Sequence, residues 1–285
     1  MRVKVGEVQL FYDVEGPKLR PDGPAMREVP TLLLLHGGPG GDHSSFKPAY
    51  SALTDVAQII YLDHRGQGRS DRSTPERWNL AQWAYDVKLF CDTLGIERPI
   101  VLGLSFGGFV ALAYATRYPE HCAKLILCST RAGPPEPERE IEVFERLGGP
   151  EAGAVARRFL IGSTVDADAL RDFVRLCRPL YTRAPYDLNR DLRQAWRIDV
   201  LRHFRASEDY TFDYVAKLRQ IKCPTLVLVG EDDPITPPCY SDQIVAAMQP
   251  GLARYERFAN AGHGIAGDAP THYFRVLREF ISDRQ

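Results

Sequence analysis

Val101-Leu102-Gly103-Leu104-Ser105-Phe106-Gly107-Gly108-Phe109 carries an apolar strand, Pro99 to Leu104, directly into a helix-forming segment that runs on to Tyr118. Gly-x-Ser-x-Gly sits at the junction. A serine forced into so sharp a strand-to-helix turn takes strained dihedrals and needs glycines where a Cβ would collide. Its hydroxyl then stands above the sheet, beside a helix N-terminus. In a chain of this composition the pattern is expected roughly 0.07 times by chance. The turn therefore reads as a presented nucleophile rather than a bystander serine.

Working outward, short apolar runs alternate with amphipathic helices. Arg2 to Val5 and Val8 to Tyr12 read as a hairpin. Thr31 to Leu35, Gln58 to Asp63 and Ala123 to Thr130 read as buried strands. Asn79 is an N-cap for a helix carrying Leu80, Trp83, Ala84, Val87, Phe90, Cys91 and Leu94 at helical spacing, and Gly95 ends it. From Arg131 to about Lys222 the strand-like runs vanish and helical segments such as Ala152 to Ile161 and Asp168 to Arg178 follow one another. The rhythm resumes with strands Thr225 to Val229 and Ala253 to Phe258 and helices Ser241 to Met248 and Thr271 to Ile281. The expected organisation is a mostly parallel α/β sheet domain built from residues 1–130 and 223–285, with residues 131–222 as an inserted helical cap.

Composition narrows the partner. The chain has 285 residues, 44% hydrophobic and 26% charged, with a net charge of −1 from 36 basic and 37 acidic residues, so it has no strong field for nucleic acid or anionic lipid. No apolar run approaches the ~20 residues of a membrane span. The N-terminus has no signal-peptide pattern, so the expected location is the cytoplasm and the expected partner a small molecule or short peptide. Cys91, Cys122, Cys128, Cys177, Cys223 and Cys239 are scattered without a C-x-x-C pair, which reads as thiols in a core rather than zinc ligands or disulfides. The balanced charge conceals a local asymmetry: residues 131–155 carry six acids and three bases, residues 156–222 fourteen bases and nine acids.

Two further segments belong with Ser105. His36-Gly37-Gly38-Pro39-Gly40-Gly41 follows the strand Thr31 to Leu35, and its glycines let the backbone approach a ligand and aim N–H groups at it. It lacks the Lys-Ser/Thr of a P-loop and the dinucleotide fingerprint. The N–H groups of Gly38 and Phe106 are the expected oxyanion donors. Glu231-Asp232-Asp233-Pro234 and Ala261-Gly262-His263-Gly264 each follow a strand near the C-terminus, and the carboxyl ends of parallel strands line one crevice. Ser105, an aspartate and His263 thus fall in an order suited to nucleophile, acid and base. Spacing leaves both Asp232 and Asp233 open as the acid.

Along nearly its whole length the chain resembles the α/β-hydrolase superfamily. His-Gly-Gly-Pro-Gly at 36–40, Asp-His-Arg-Gly-x-Gly-x-Ser at 63–70 and Gly-x-Ser-x-Gly-Gly at 103–108 look most like its proline iminopeptidase group. The resemblance implies an eight-stranded sheet with a helical cap, and release of N-terminal residues, proline above all, from peptides. It makes Ser105 the nucleophile, His263 the base and Asp233 its orienting acid. It also makes Gly38 and Phe106 the oxyanion positions, and it needs neither metal nor cofactor. Asp63 and Arg65 read as braces of the turn above the sheet. Phe106 stands where many members have tryptophan, and Pro234 where some short members have a glutamate that helps hold the substrate's α-ammonium. Acidic replacements come from Glu136, Glu138, Glu140, Glu142 and Glu145, or from Glu208 and Asp209. Gly37, Glu136, Glu208 and Asp209 are the candidate substrate-binding positions. The alternative activity is that of a carboxylesterase or lactonase using the same residues.

Overall fold

Thr31-Leu32-Leu33-Leu34-Leu35 offers water almost nothing, and such a strand is stable only with both faces covered. A computed structural model describes residues 1–161 and 167–283 and shows how they are covered. The strands are β1 (Arg2–Val5), β2 (Val8–Glu15), β3 (Leu19–Asp22), β4 (Ala25–Glu28), β5 (Thr31–Leu35), β6 (Gln58–Leu62), β7 (Ile100–Leu104), β8 (Lys124–Cys128), β9 (Thr225–Gly230) and β10 (Ala253–Phe258). Eight of them form one sheet in the order β1-β2-β6-β5-β7-β8-β9-β10. The β1–β2 and β2–β6 pairs are antiparallel and every later pair is parallel, so the molecule has the α/β-hydrolase architecture.

The helices are α1 (Leu80–Thr93), α2 (Phe106–Arg117), α3 (Pro137–Ile161), α4 (Ala167–Leu176), α5 (Leu188–Leu192), α6 (Ile198–Ser207), α7 (Pro238–Ala247), α8 (Ile265–Asp268) and α9 (Pro270–Ser282). Side chains of β5 alternate between the two layers. Leu33 and Leu35 join Trp83, Val87 and Phe90 of α1 and the apolar residues of α2. Leu32 and Leu34 join Phe46 and the α9 residues Tyr273 and Leu277 on the opposite face. At ~2 kcal/mol per fully buried large aliphatic side chain, this double burial dominates what holds the sheet. Asn79 caps α1 by accepting a hydrogen bond from Gln82 N at 2.9 Å. Gly95, at φ +67°, takes the chain away after it.

Between β8 and β9 the described residues form α3 to α6 and no strand, and they bury a small apolar cluster of their own, Ile141, Phe144, Ala156, Phe173 and Cys177. Residues 162–166 of that stretch lie outside the described residues. Several details differ from the sequence reading. The β3–β4 hairpin was hidden because its strands are exposed and lack apolar alternation. Helix α3 begins at Pro137 and bends at Gly149 (φ +79°), ahead of Pro150. Helix α7 starts three residues early because Pro238, at its first position, needs no N–H partner there. Among the described residues no helix is long and apolar enough to cross a membrane.

Candidate active site

Ser105 lies between β7 and α2 at φ +55°, ψ −121°, a conformation costly for a residue with a side chain. Three bonds hold it there. Its N–H donates to Cys128 O (2.9 Å), and its carbonyl accepts from Gly108 N (2.8 Å) and Thr130 Oγ1 (2.8 Å). The glycines of the motif are needed for packing: a Cβ on Gly107 would collide with the Leu35 carbonyl of the neighbouring strand. Phe106 buries its ring edge-on against Trp83 (5.0 Å between centroids) and Phe204 (5.4 Å), which fixes the first turn of α2 behind Ser105.

The glycine loop after β5 comes up against this turn. A Cβ built on Gly37 would stand 3.4 Å from Ser105 Cβ and 4.0 Å from its Oγ. Gly38 has φ +140°, and Gly40 N donates to Gln67 Oε1 at 2.6 Å. His36 is buried behind the loop. Its Nε2 accepts from His64 N (3.2 Å), so Nδ1 carries the proton and donates to the Gly37 carbonyl (2.8 Å). Burial lowers the pKa of His36, in keeping with a neutral ring. Asp63 and Arg65 are braces, as read from the sequence. Asp63 Oδ1 accepts from His43 N (2.9 Å) and His43 Nδ1 (2.7 Å), and its Oδ2 accepts from Arg69 N (2.9 Å). Arg65, 1% exposed, pairs through two parallel 2.7 Å bonds with Asp86.

At the carboxyl ends of β9 and β10 the acid and the base meet. His263 Nδ1 lies 2.8 Å from Asp233 Oδ2 and 3.0 Å from Oδ1. Asp233 is fully buried and accepts in addition from Ile235 N (2.9 Å), Thr236 N (2.8 Å) and Thr236 Oγ1 (2.8 Å). Burial pushes its pKa up. The His263 ring and the Thr236 bonds outweigh that, and the net displacement is downward. The neighbouring Asp232 turns to Arg146 (2.8 Å) and Arg183 (3.7 Å), so of the two aspartates left open by spacing Asp233 is the one on the histidine. Thr236 had escaped sequence reading, although Asp-x-x-Thr is the spacing of a side-chain-capped turn.

A serine on a strained elbow, a histidine on a buried carboxylate and a glycine loop against the serine share one sheet edge. Residues 30–270 match the family model described as alpha/beta hydrolase fold. This chain belongs to the α/β-hydrolase family, in its proline iminopeptidase-like group. Proline iminopeptidase PfmaB of Pestalotiopsis fici is 31% identical over 273 residues, 92% of each chain. The putative carbamate hydrolase RutD of Caulobacter vibrioides is 30% identical over 286 residues, 98% of each. Among solved structures, an esterase from Thermogutta terrifontis in a malate-bound form superposes with a TM-score of 0.69 at 26% identity, covering 99% of this chain and 98% of that one. The hydrolase is thus similar to enzymes named for different substrates.

The acidic candidates each have a partner within the protein. Glu136 is exposed and ion-paired with Arg139. Glu208 Oε2 accepts from Leu80 N at 2.8 Å, capping α1, and Asp209 is held by Arg131, whose guanidinium stacks on Phe109 and Phe212. A helix N-terminus and a buried cation had claims on these carboxylates that spacing does not reveal. Glu140 differs from them in being a buried acid without a basic partner at salt-bridge distance among the described residues. It is 3% exposed on α3, accepts from Tyr240 Oη (2.8 Å) and lies within electrostatic reach of Asp233 and Arg131. Burial raises its pKa to about 7. Gly37 remains against Ser105, as described. Among the described residues no three His, Cys, Asp or Glu gather as metal ligands.

Proposed function

We propose that this hydrolase cleaves acyl bonds through a Ser105 acyl-enzyme and that its substrates are short peptides from which it releases the N-terminal residue, proline above all. The observation that carries the catalytic part is the His263–Asp233 pair at the same sheet edge as the strained Ser105. His263 Nε2 takes the Ser105 proton as Oγ attacks the carbonyl. Asp233 holds Nδ1–H and so selects the tautomer that leaves Nε2 basic. The N–H groups of Gly38 and Phe106 receive the oxyanion, a contribution worth ~3 kcal/mol per donor. His263 then protonates the leaving amine, and water activated by the same ring releases the acid and restores Ser105.

The peptide reading is supported by the relatives named proline iminopeptidase and by Glu140. Glu140 is a buried carboxyl on α3, in the stretch between β8 and β9 that we read as the cap, and its ionised form, within electrostatic reach of Asp233, would attract an α-ammonium. The esterase likeness and the internal pairing of Glu208 and Asp209 favour the alternative, a short acyl ester or lactone. One comparison separates them: kcat/KM on a prolyl arylamide and on p-nitrophenyl acetate, with wild type and Glu140→Gln. The peptide reading expects arylamide turnover whose KM rises at least tenfold in the variant, with the ester unaffected. Turnover of the ester alone would sink it.

A further inference from the structure

His263 sits in a six-residue loop whose shape depends on one carboxylate outside the triad. Gly262 N donates to Asp268 Oδ2 at 2.8 Å, closing the loop across the histidine. The other oxygen, Oδ1, reaches out of the sheet domain to the segment between α4 and α5, where it accepts from Arg183 N (2.9 Å), Ala184 N (2.9 Å) and the Thr182 hydroxyl. All four donors are uncharged, so the carboxylate itself supplies the charge in every bond, and charge-assisted bonds of this kind are the stronger ones. The same segment grips the other side of the histidine. Gly264 N donates to Tyr181 O at 3.1 Å, and the Tyr181 ring stands edge-on to the imidazole with centroids 5.3 Å apart. A Cβ on Gly262 would come within 2.6 Å of Tyr181 O, so the two backbones touch with no room for a side chain. The N–H groups of both glycines flanking His263 are therefore anchored, one by Asp268 and one by Tyr181, the residue directly before the three that Asp268 binds.

We infer that Asp268 is the positioning residue for His263: it sets where the imidazole stands relative to Ser105 by tying the histidine loop to the helical stretch above it. This rests on the Ser105–His263–Asp233 reading. Asp268 touches no reacting atom and acts only through the histidine. Asparagine at this position keeps one acceptor oxygen and turns an NH2 toward the donors at the other end, so one half of the bracket is lost whichever way the amide faces. A displacement of about 1 Å at a reacting group is worth up to a hundredfold in rate.

The test uses the full chain. Wild type, Asp268→Asn, Thr182→Val and Ser105→Ala are compared by their rates of labelling with a fluorophosphonate, by kcat and KM on p-nitrophenyl acetate, and by circular dichroism. Folded Asp268→Asn is expected to label ten- to a hundredfold more slowly and to lose kcat by the same factor with KM within twofold. Thr182→Val, which removes one bond and disturbs folding least, is expected to lose kcat about threefold. A merely structural role would lower the melting temperature and leave the labelling rate of folded protein at the wild-type value, and that result in both variants overturns the inference. Absence of labelling in wild type, or labelling that survives Ser105→Ala, overturns the triad reading instead.

Discussion

Asp233 concentrates the electrostatics of the site in one fully buried carboxylate that faces an imidazole, two backbone N–H groups and a hydroxyl. Asp233→Asn keeps the shape but presents an amide to His263 Nδ1, which favours the tautomer with the proton on Nε2. It is expected to lower kcat about 10⁴-fold with an unchanged circular dichroism spectrum. Retention of more than a tenth of the wild-type kcat would refute the orienting role. Glu140 titrates in the opposite sense. Burial raises its folded pKa from the ordinary 4.5 to about 7, so between those values the native state binds a proton that the unfolded chain has released. Stability from this residue is therefore full below pH 4.5 and lost as pH rises through 7, a loss of roughly 3 kcal/mol. Glu140→Gln cannot ionise. Its melting temperature relative to wild type is expected to increase steadily from pH 5 to pH 8, and a constant difference would contradict the shift.

Elements inherit their placement from such residues. Helix α1 begins where Asn79 and Glu208 answer two of its free N–H groups, at Gln82 and Leu80, and Glu208 comes from the end of α6, far along the chain. Glu208→Ala removes a carboxylate from a helix N-terminus and is expected to cost about 1 kcal/mol in urea denaturation while leaving KM for any substrate unchanged. A KM increase with intact stability would return Glu208 to the substrate site. Helix α2 needs no such help, because every residue from Phe106 to Thr116 is buried. The segments linking α4 to α6 are held at both sides of the site. Ala195 N donates to Asp42 Oδ2 (2.9 Å) and Arg197 N to Gly40 O (2.7 Å) beside the glycine loop, and Thr182 to Ala184 bind Asp268 beside the histidine.

Across the whole molecule, packing buries five of the six thiols, Cys177 among them in the apolar cluster of α3 and α4, and leaves Cys239 half-buried near the start of α7. Burial pushes Cys91, Cys128 and Cys177 up to about 12, so none of these three is a nucleophile at neutral pH. A thiol reagent such as 5,5′-dithiobis(2-nitrobenzoate) is expected to modify Cys239 first in native protein and all six thiols only after unfolding. Rapid native reaction of several thiols would mean that the two layers do not close on the sheet as described.

The strands of the large sheet, the strained strand-to-helix turn at Ser105 and the loops that carry Asp233 and His263 at strand ends were legible in the linear chain. Each is written in local physics: runs such as Thr31–Leu35 that need cover on both faces, glycines where Cβ atoms collide, and loops at strand ends. The hairpin Leu19–Glu28 carries no apolar alternation and stayed invisible. So did Thr236 and Asp268, and Glu140 was one acid among five with nothing to mark its burial against Tyr240, because a carboxylate's partners are set by what folding brings to it. Glu208 and Asp209 show the same limit from the other side. Their charges suggested a substrate, but a helix N-terminus 128 residues away and the guanidinium of Arg131 had already taken them. Local sterics and hydrophobic period are readable along the chain, whereas the desolvation and pairing of each charge exist only once distant segments are packed together.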